Sequence, residues 1–168
     1  YNPATNEKLD SVQITSTEEF ISILDDAKEA ANKYNYSSFF LRINLISQFQ
    51  TGIVKNIDKI INIICAETGK KEAEGLTEVF IVLEHMSYLM SNLYKSLGKQ
   101  TRRVGILKTK KAWIEYEPIG IVGIISPWNY PLILTISPLV EALLAGNCVV
   151  IKPSEHTPLT LQLLKKIW

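Results

Sequence analysis

The sequence predicts an α/β fold in which N-terminal helices precede the first strands of a parallel sheet, with a projecting antiparallel hairpin arm between them. Three patterns lead to this prediction. Apolar residues recur every three or four positions through the first hundred residues, as one buried face of a helix requires. Residues 111–116 follow a two-residue alternation, which is typical of a half-exposed antiparallel strand. Residues 119–125 and 148–151 are apolar on both alternating faces, which is typical of strands covered on both sides in a parallel sheet.

Length and composition are those of one soluble globular domain. The 168 residues are 46% hydrophobic and 21% charged, and the net charge is only +1. This balance excludes a disordered chain and a strongly basic nucleic-acid-binding protein. Cys65 and Cys148 lie far apart in apolar surroundings, so we expect neither a disulfide nor a zinc cluster, and a cytoplasmic location. We also expect no signal peptide and no membrane span, because proline, glycine and charge interrupt the most apolar window.

Four helices are predicted within residues 1–98, after an extended arm or short strand that reaches about Gln13. Ser16 and Glu19 have the spacing of a capping box at the first helix start. Asn56 is expected to cap the third helix, and Gly69 to end it in the left-handed conformation. The fourth helix is expected from about residue 72 to residue 97. The apolar faces are defined by Phe20, Ile23, Leu24, Ala27, Ala30 and Ala31; by Leu41, Leu45, Ile46, Phe49 and Ile53; by Ile57, Ile60, Ile61 and Ile64; and by Leu76, Val79, Phe80, Leu83, Met86, Met90, Leu93 and Tyr94.

A basic segment spans residues 95–111, from the end of the fourth helix onward. It contains no acidic residue, and its seven basic residues are Lys95, Lys99, Arg102, Arg103, Lys108, Lys110 and Lys111. Two interpretations are open, a phosphate-binding surface and a solvated hairpin arm. We favour the hairpin, because no stacking aromatic residues are interleaved with the charges. Lysines also discourage unwanted pairing at the edge of a strand. No nucleic-acid partner is therefore expected.

The two buried strands are expected to be parallel neighbours. A loop at residues 126–131 and a helix at residues 132–145 connect them, and the helix continues despite Pro138. Gly146 and Asn147 close that helix. Because a strand–helix–strand crossover places its two strands parallel, both carboxyl ends should lie at one edge of the sheet.

Polar side chains follow both strands at that edge, where open parallel sheets bind ligands. Asn129 supplies an amide that can donate to an oxygen becoming negative, and Lys152 supplies a positive charge with three donors. The Glu155 carboxylate can accept hydrogen bonds from a sugar diol. Together these groups suit a nucleotide and an oxyanion. The alternative, which the residues alone leave open, is that Lys152 and Glu155 are solvated loop residues and Asn129 is a turn former.

Other types of site are less well supported by the sequence. The usual glycine-rich phosphate-binding motifs and the Gly-x-Ser-x-Gly motif do not occur. His85 and His156 each lack a second ligand at metal spacing, so we expect no metal site. Cys65 lies on a predicted helix and Cys148 in a predicted buried strand, where a thiol usually serves as a small apolar side chain. Neither cysteine is expected to be a nucleophile.

A larger set of residues resembles the aldehyde dehydrogenase family. The resemblance is carried by residues 117–132, EPIGIVGIISPWNYPL, by residues 145–155, AGNCVVIKPSE, and by residues 157–159, TPL. Weaker similarity extends upstream to Asn2-Pro3-Ala4-Thr5 and Glu67-Thr68-Gly69-Lys70. The combined match is highly specific, and it covers essentially the whole chain as an N-terminal portion of that family.

The resemblance implies three regions. Residues 1–98 would be the N-terminal arm and helices of a cofactor-binding domain. Residues 99–117 would be a hairpin that helps to form homodimers or tetramers. Residues 118–168 would begin a Rossmann-like NAD(P)-binding sheet, which these residues leave incomplete.

The same resemblance implies roles for residues of both loops. Asn129 would donate a hydrogen bond to the oxyanion of a thiohemiacetal, and Lys152 and Glu155 would hold the adenosine ribose hydroxyls. Glu155 would favour NAD over NADP, because its charge repels a ribose phosphate. The cofactor-binding set that we predict is Ile125, Ser126, Pro127, Trp128, Lys152, Ser154 and Glu155.

The family's cysteine nucleophile and general-base glutamate would lie downstream of residue 168. We therefore expect a truncated domain whose longer parent oxidises an aldehyde to a carboxylic acid, and a chain that is inactive alone. A helical stripe formed by Leu159, Leu163, Leu164 and Ile167 has no C-cap, which supports this expectation. The alternative is a non-catalytic module for nucleotide binding or oligomerisation.

Overall fold

The computed structural model describes residues 1–106 and 109–168, and these form helices and short strands in the predicted order. Lys108, one of the residues of the basic segment, lies outside the described residues. The elements are α1 (Thr17–Tyr34), α2 (Phe39–Lys55), α3 (Ile57–Thr68), α4 (Glu72–Leu97), β1 (Gln100–Arg102), β2 (Ala112–Ile114), β3 (Ile121–Ile125), α5 (Ile133–Leu144), β4 (Cys148–Lys152) and α6 (Pro158–Ile167).

Helix α1 begins at the predicted capping box. The Ser16 hydroxyl accepts from the Glu19 N–H at 3.2 Å, and the Glu19 carboxylate accepts from the Ser16 N–H at 2.8 Å. Before α1, the described residues form no strand, so the short-strand alternative is wrong. The Asn2 side chain instead stabilises a turn by accepting from the Ala4 N–H at 2.8 Å. The opening segment is therefore an arm without regular structure.

The boundary between α2 and α3 differs in one detail from the prediction. Asn56 precedes α3 as expected, but its side chain does not cap that helix. Its amide donates instead to the Gly52 carbonyl at 2.9 Å, within the last turn of α2. The short connection leaves Asn56 close enough to the preceding helix for this competing bond. Gly69 ends α3 as predicted, with a left-handed φ of 72°.

The core lies where α2, α3, α4 and α5 meet. Its fully buried side chains include Ile46, Ile53, Ile60, Ile64, Met86, Ile136 and Val140. Helix α1 contacts β3 and β4, but only Ala31 of its apolar face is fully buried, while Phe20 and Ile23 remain 47% and 42% exposed. The expectation of a buried α1 face is therefore wrong over its first half. The described part of the sheet has only two strands, and these cover little of the helix.

The hairpin arm is antiparallel, as predicted. Thr101 of β1 pairs with Trp113 of β2, and Lys99 lies over the Trp113 ring, with its ammonium 3.9 Å from the ring centroid. The predicted half-burial is not observed, because Trp113 and Ile114 are 50% and 39% exposed on opposite faces. No other helix or strand among the described elements packs against either strand. The arm therefore projects with both faces accessible.

Strands β3 and β4 form the predicted parallel pair, joined by α5. Ile121 pairs with Cys148 at one end of the register, and Ile125 pairs with Lys152 at the other. The α/β class and the crossover are confirmed. The prediction that both faces of the sheet are buried is wrong: Ile124 is 7% exposed, whereas Ile125 is 81% exposed. A parallel sheet is covered by helices across several strands, and the two described strands leave part of each face open.

Candidate functional site

The two loops identified in the sequence leave the same edge of the β3–β4 pair. Ile125 lies opposite Lys152, and the Ser126 N–H donates to the Lys152 carbonyl at 3.0 Å, which extends the pairing by one bond. Further out, the Trp128 ring contacts the His156 ring edge-on, with centroids 6.5 Å apart. The loop after β3, residues 126–132, therefore lies beside the loop after β4, residues 153–157.

The side chains at this edge form an open surface. Ile125 is 81% exposed and Trp128 is 55% exposed, and both are apolar groups at the mouth of the two loops. Lys152 and Glu155 are also exposed, with the ammonium 3.8 Å from the carboxylate, and the ammonium donates to the Pro153 carbonyl at 3.0 Å. An apolar surface next to a paired donor and acceptor is a combination that suits a nucleoside.

The protonation state of Glu155 favours its role as an acceptor. A hydrogen bond from its own backbone lowers the pKa of this carboxyl, and the neighbouring positive charge of Lys152 lowers the pKa further. The side chain is therefore ionised at neutral pH. An exposed carboxylate can accept from both hydroxyls of a ribose.

The Asn129 side chain is available to a ligand. The residue is exposed in the loop after β3, and its amide makes no hydrogen bond to any of the described residues. Sequence reasoning placed this amide and Lys152 at one edge of the sheet, and the register and the contact between the loops agree with that placement. An amide at this position can donate to an oxygen that gains negative charge.

Two of the predicted cofactor-binding residues are buried rather than exposed. The Ser154 hydroxyl accepts from the His156 N–H at 3.2 Å, so this side chain shapes the turn of its loop. Ser126 is 5% exposed, and its hydroxyl oxygen is buried without a hydrogen-bond partner in the described part of the chain. An unpaired buried hydroxyl is costly, and a bound group or a small movement of the loop would relieve that cost.

The loop after β3 is anchored by residues that sequence reasoning did not assign to the site. Glu78 of α4 is 1% exposed, and its carboxylate accepts from the Leu132 N–H at 3.2 Å. Its other oxygen lies 2.5 Å from the Lys70 ammonium. The same ammonium lies 3.7 Å from the centroid of the Tyr130 ring, in the loop itself. Lys70, Tyr130, Glu78 and Leu132 therefore form one connected cluster beside Asn129.

The loop after β4 is anchored in a similar way. Glu67, near the end of α3, accepts from the Leu159 N–H at 2.6 Å and from the Thr160 N–H at 2.8 Å. The Thr160 hydroxyl donates to the same carboxylate at 2.6 Å. Burial raises the pKa of Glu67, and these hydrogen bonds act against that rise. A carboxylate from the helical layer thus holds the first turn of α6.

Other candidate chemistries receive no support from the described residues. No group of three or more His, Cys, Asp or Glu side chains in residues 1–106 and 109–168 is arranged to hold a metal ion. Burial raises the pKa of both the Cys65 and the Cys148 thiols, which favours the unreactive thiol form. None of the described helices is long and apolar enough to cross a membrane.

Comparison with known proteins agrees with this geometry. The sequence profile of the aldehyde dehydrogenase family matches residues 1–168. The D-glyceraldehyde dehydrogenase (NADP(+)) of Picrophilus torridus is 31% identical over 166 residues, which are 99% of this chain and 33% of that protein. The crystal structure of an oxidoreductase from Marinobacter aquaeolei superposes with a TM-score of 0.91 at 28% identity, over 99% of this chain and 34% of that chain.

A more distant structure shows the same fold. A betaine aldehyde dehydrogenase double mutant from Staphylococcus aureus, in complex with NAD⁺, superposes with a TM-score of 0.88 at 24% identity, over 99% of this chain and 34% of that chain. This chain spans about a third of the length of these related proteins. Because the family profile matches the sequence from its first residue to its last and the fold agrees, the chain belongs to the aldehyde dehydrogenase family.

Proposed function

We propose that this chain supplies part of the NAD(P) site of an enzyme that oxidises an aldehyde to a carboxylic acid. The observation that carries the proposal is the meeting of two loops at one edge of a parallel strand pair, through the Ile125–Lys152 register and the Trp128–His156 contact. Ligands of open parallel sheets bind at this edge. The family to which the chain belongs supports the same reaction class.

The cofactor role falls to residues of both loops. Lys152 donates to, and Glu155 accepts from, the hydroxyls of the adenosine ribose, and both side chains are exposed and charged for this task. Trp128 and Ile125 offer apolar surface to the rest of the nucleotide. The Ser154 hydroxyl shapes the turn of its loop, Pro127 restricts the backbone after β3, and Ser126 contributes through its backbone N–H, which donates to the Lys152 carbonyl. When bound, NAD(P)⁺ would supply the hydride acceptor that oxidation of an aldehyde requires.

The substrate role falls to Asn129. Its amide donates to the carbonyl oxygen of the aldehyde as that oxygen gains negative charge. A donor of this kind changes the rate by about 10² to 10³. The amide acts by position alone, so no proton is transferred to or from Asn129.

The negative charge of Glu155 favours NAD as the cofactor, with NADP as the weaker ligand. A ribose phosphate beside this carboxylate would meet like-charge repulsion, which water and salt screen only in part at short range. The names of related proteins include NADP(+) for the Picrophilus torridus enzyme and NAD⁺ for the Staphylococcus aureus one.

Calorimetric titration of the 168-residue chain with NAD⁺ tests the cofactor site. We expect binding that Lys152→Ala weakens about tenfold, because a charge-assisted hydrogen bond is lost. Lys165→Ala is the matched control, since Lys165 is an exposed lysine of α6 outside both loops. The assignment would be contradicted if both variants weakened NAD⁺ binding equally, or if neither variant changed it. NADP⁺ should bind more weakly than NAD⁺, and Glu155→Gln should reduce the difference in affinity between the two cofactors.

Turnover is tested on the same sample. We expect the chain to bind cofactor without oxidising aldehydes, because the thiols of Cys65 and Cys148 have raised pKa values and neither lies in the two loops. Production of NADH at ordinary enzyme rates, about 1 to 10³ per second, would show that this expectation is wrong.

A second candidate is an assembly function for the hairpin of residues 99–117. Trp113, Ile114 and Tyr116 are exposed on this arm, and no other described element packs against its strands. Exposed apolar side chains grouped in this way are typical of an interface. We propose that the arm joins copies of the protein into a dimer or a tetramer.

A further inference from the structure

The motif Glu67-Thr68-Gly69-Lys70 has no part in the proposed chemistry, yet its two charged residues reach toward both loops. Gly69, with its left-handed φ of 72°, ends α3 and reverses the chain before α4. Glu67 therefore remains on the last turn of α3, while Lys70 lies beside the first turns of α4. The turn at Gly69 therefore separates two charged side chains: Glu67 contacts the start of α6, and Lys70 contacts Glu78 of α4.

The first branch of this cluster reaches the loop after β3. Lys70 pairs with Glu78, and the second oxygen of that carboxylate holds the Leu132 N–H. Leu132 directly precedes α5, which begins four residues after Asn129. The upstream end of the loop is fixed by the pairing of Ile125 in β3. Both ends of the segment that carries Asn129 are therefore held.

The second branch reaches the loop after β4. Glu67 accepts three hydrogen bonds from Leu159 and Thr160, in the first turn of α6. Helix α6 begins three residues after Glu155, and β4 fixes the other end of the loop at Lys152. The segment that carries Glu155 is therefore held at both ends as well.

We propose that Glu67, Lys70 and Glu78 are positioning residues that fix the two loops relative to each other, and we name this set the carboxylate clamp. The inference rests on the proposed function, because it assigns the loops to one site. The three residues lie on α3, on α4 and in the turn between them, outside both site loops. The clamp acts through Leu132 and Tyr130 on Asn129, and through Leu159 and Thr160 on Glu155.

Two features distinguish a clamp from an ordinary buried ion pair. Both carboxylates use their two oxygens on separate partners. The backbone partners are Leu132, which ends the first site loop, and Leu159 and Thr160, which follow the second. The Lys70 ammonium, besides its ion pair, lies over the ring of Tyr130, the residue next to Asn129. An ion pair that only stabilised the helical layer would need none of these contacts with the loops.

Nuclear magnetic resonance of the 168-residue chain tests the clamp without cofactor or turnover. The variants are Glu78→Gln and Glu67→Gln, studied at a temperature at which both are folded. Glu78→Gln should speed amide exchange at Leu132 about tenfold or more and shift the side-chain amide signals of Asn129, because a charge-assisted bond is lost. Glu67→Gln should instead speed exchange at Thr160 and shift the backbone signal of Glu155.

Glu141→Gln is the matched control. It removes an exposed carboxylate of α5 that lies 3.1 Å from His85 of α4, and it contacts neither loop. We expect no change at Asn129 or Glu155 in this variant. The proposal would be overturned if both clamp variants lost thermal stability while the Asn129 and Glu155 signals did not move. The clamp residues would then stabilise the fold without positioning the loops.

Lys70 supplies an independent test should Glu78→Gln fail to fold. Lys70→Met removes the charge from a side chain that is still 15% exposed and should reproduce the Asn129 shift, and Lys70→Arg should restore the original signals. An unshifted Asn129 signal in Lys70→Met would overturn the first branch. Shifted loop signals in a chain that fails to bind NAD⁺ would support the clamp and contradict only the proposed function.

Discussion

Three buried charged side chains form hydrogen bonds with backbone groups at the ends of helices in this protein. Glu67 and Glu78 accept from backbone N–H groups at the starts of α6 and α5. Arg42, which is 5% exposed, donates to the Leu144 carbonyl at the end of α5 and to the Asn35 carbonyl after α1, both at 3.2 Å. A negative group at a helix start and a positive group at a helix end both complement the helix dipole. These contacts explain how charges are tolerated inside an apolar layer.

A glycine beside Arg42 provides a test at this scale. Gly146 has a φ of 92°, and a Cβ at this position would lie 2.6 Å from the Arg42 guanidinium. We expect Gly146→Ala to lower the free energy of unfolding by about 2 kcal/mol or more, since backbone strain is added to displacement of a buried donor. Chemical denaturation measures this change.

Gly105→Ala is the matched control for that experiment. Gly105 also has a positive φ, 60°, but a Cβ there would meet no atom of the described residues within 4 Å. Only the backbone cost, about 1 kcal/mol, is expected in this variant. Equal losses in the two variants would show that the contact with Arg42 contributes nothing.

Among the elements, those defined by a local signal were predictable from the sequence. The capping box of Ser16, the left-handed Gly69 and the apolar runs of β3 and β4 each follow from neighbouring residues, and the structure confirms them. Burial of α1 and of both sheet faces was predicted wrongly, because burial depends on which elements lie opposite. Periodicity indicates which face of a helix is apolar, and it does not indicate how much of that face is covered.

The hairpin provides the test at the scale of elements. Replacing Trp113 and Ile114 together by Ser should shift the sedimentation profile toward the monomer, because the exposed apolar side chains of the arm would be lost. A double replacement of Lys110 and Lys111 by Ser, on the same arm, should leave the profile nearer that of the original chain. A chain that is monomeric before any substitution would contradict the assembly proposal.

At the scale of the whole molecule, the helical layer both covers the strand pair and holds its loops. Glu67 follows Ile60 and Ile64 at helical spacing, and Glu78 lies among the buried Gly75, Val79 and Val82. Each of these two glutamates occupies a position on the apolar face of its helix, and that pattern could have identified them from the sequence. The sequence could not name their partners, because Leu132, Leu159 and Thr160 are 54 to 93 residues away along the chain.

The placement of the two site loops was largely predictable, for a different reason. Asn129, Lys152 and Glu155 follow strands whose parallel direction is set by the handedness of one crossover. That single topological rule places both loops at one edge, and the structure has the expected register. The burial of Ser126 and Ser154 was not predictable, because it depends on the turn that each loop makes.

The central claim is that the two loops form one nucleotide site. Titration of the isotopically labelled chain with NAD⁺, followed by nuclear magnetic resonance, tests it most directly. We expect signals of residues 125–129 and 152–155 to move together along one saturation curve. Movement of only one loop, or of signals confined to other parts of the chain, would contradict the claim.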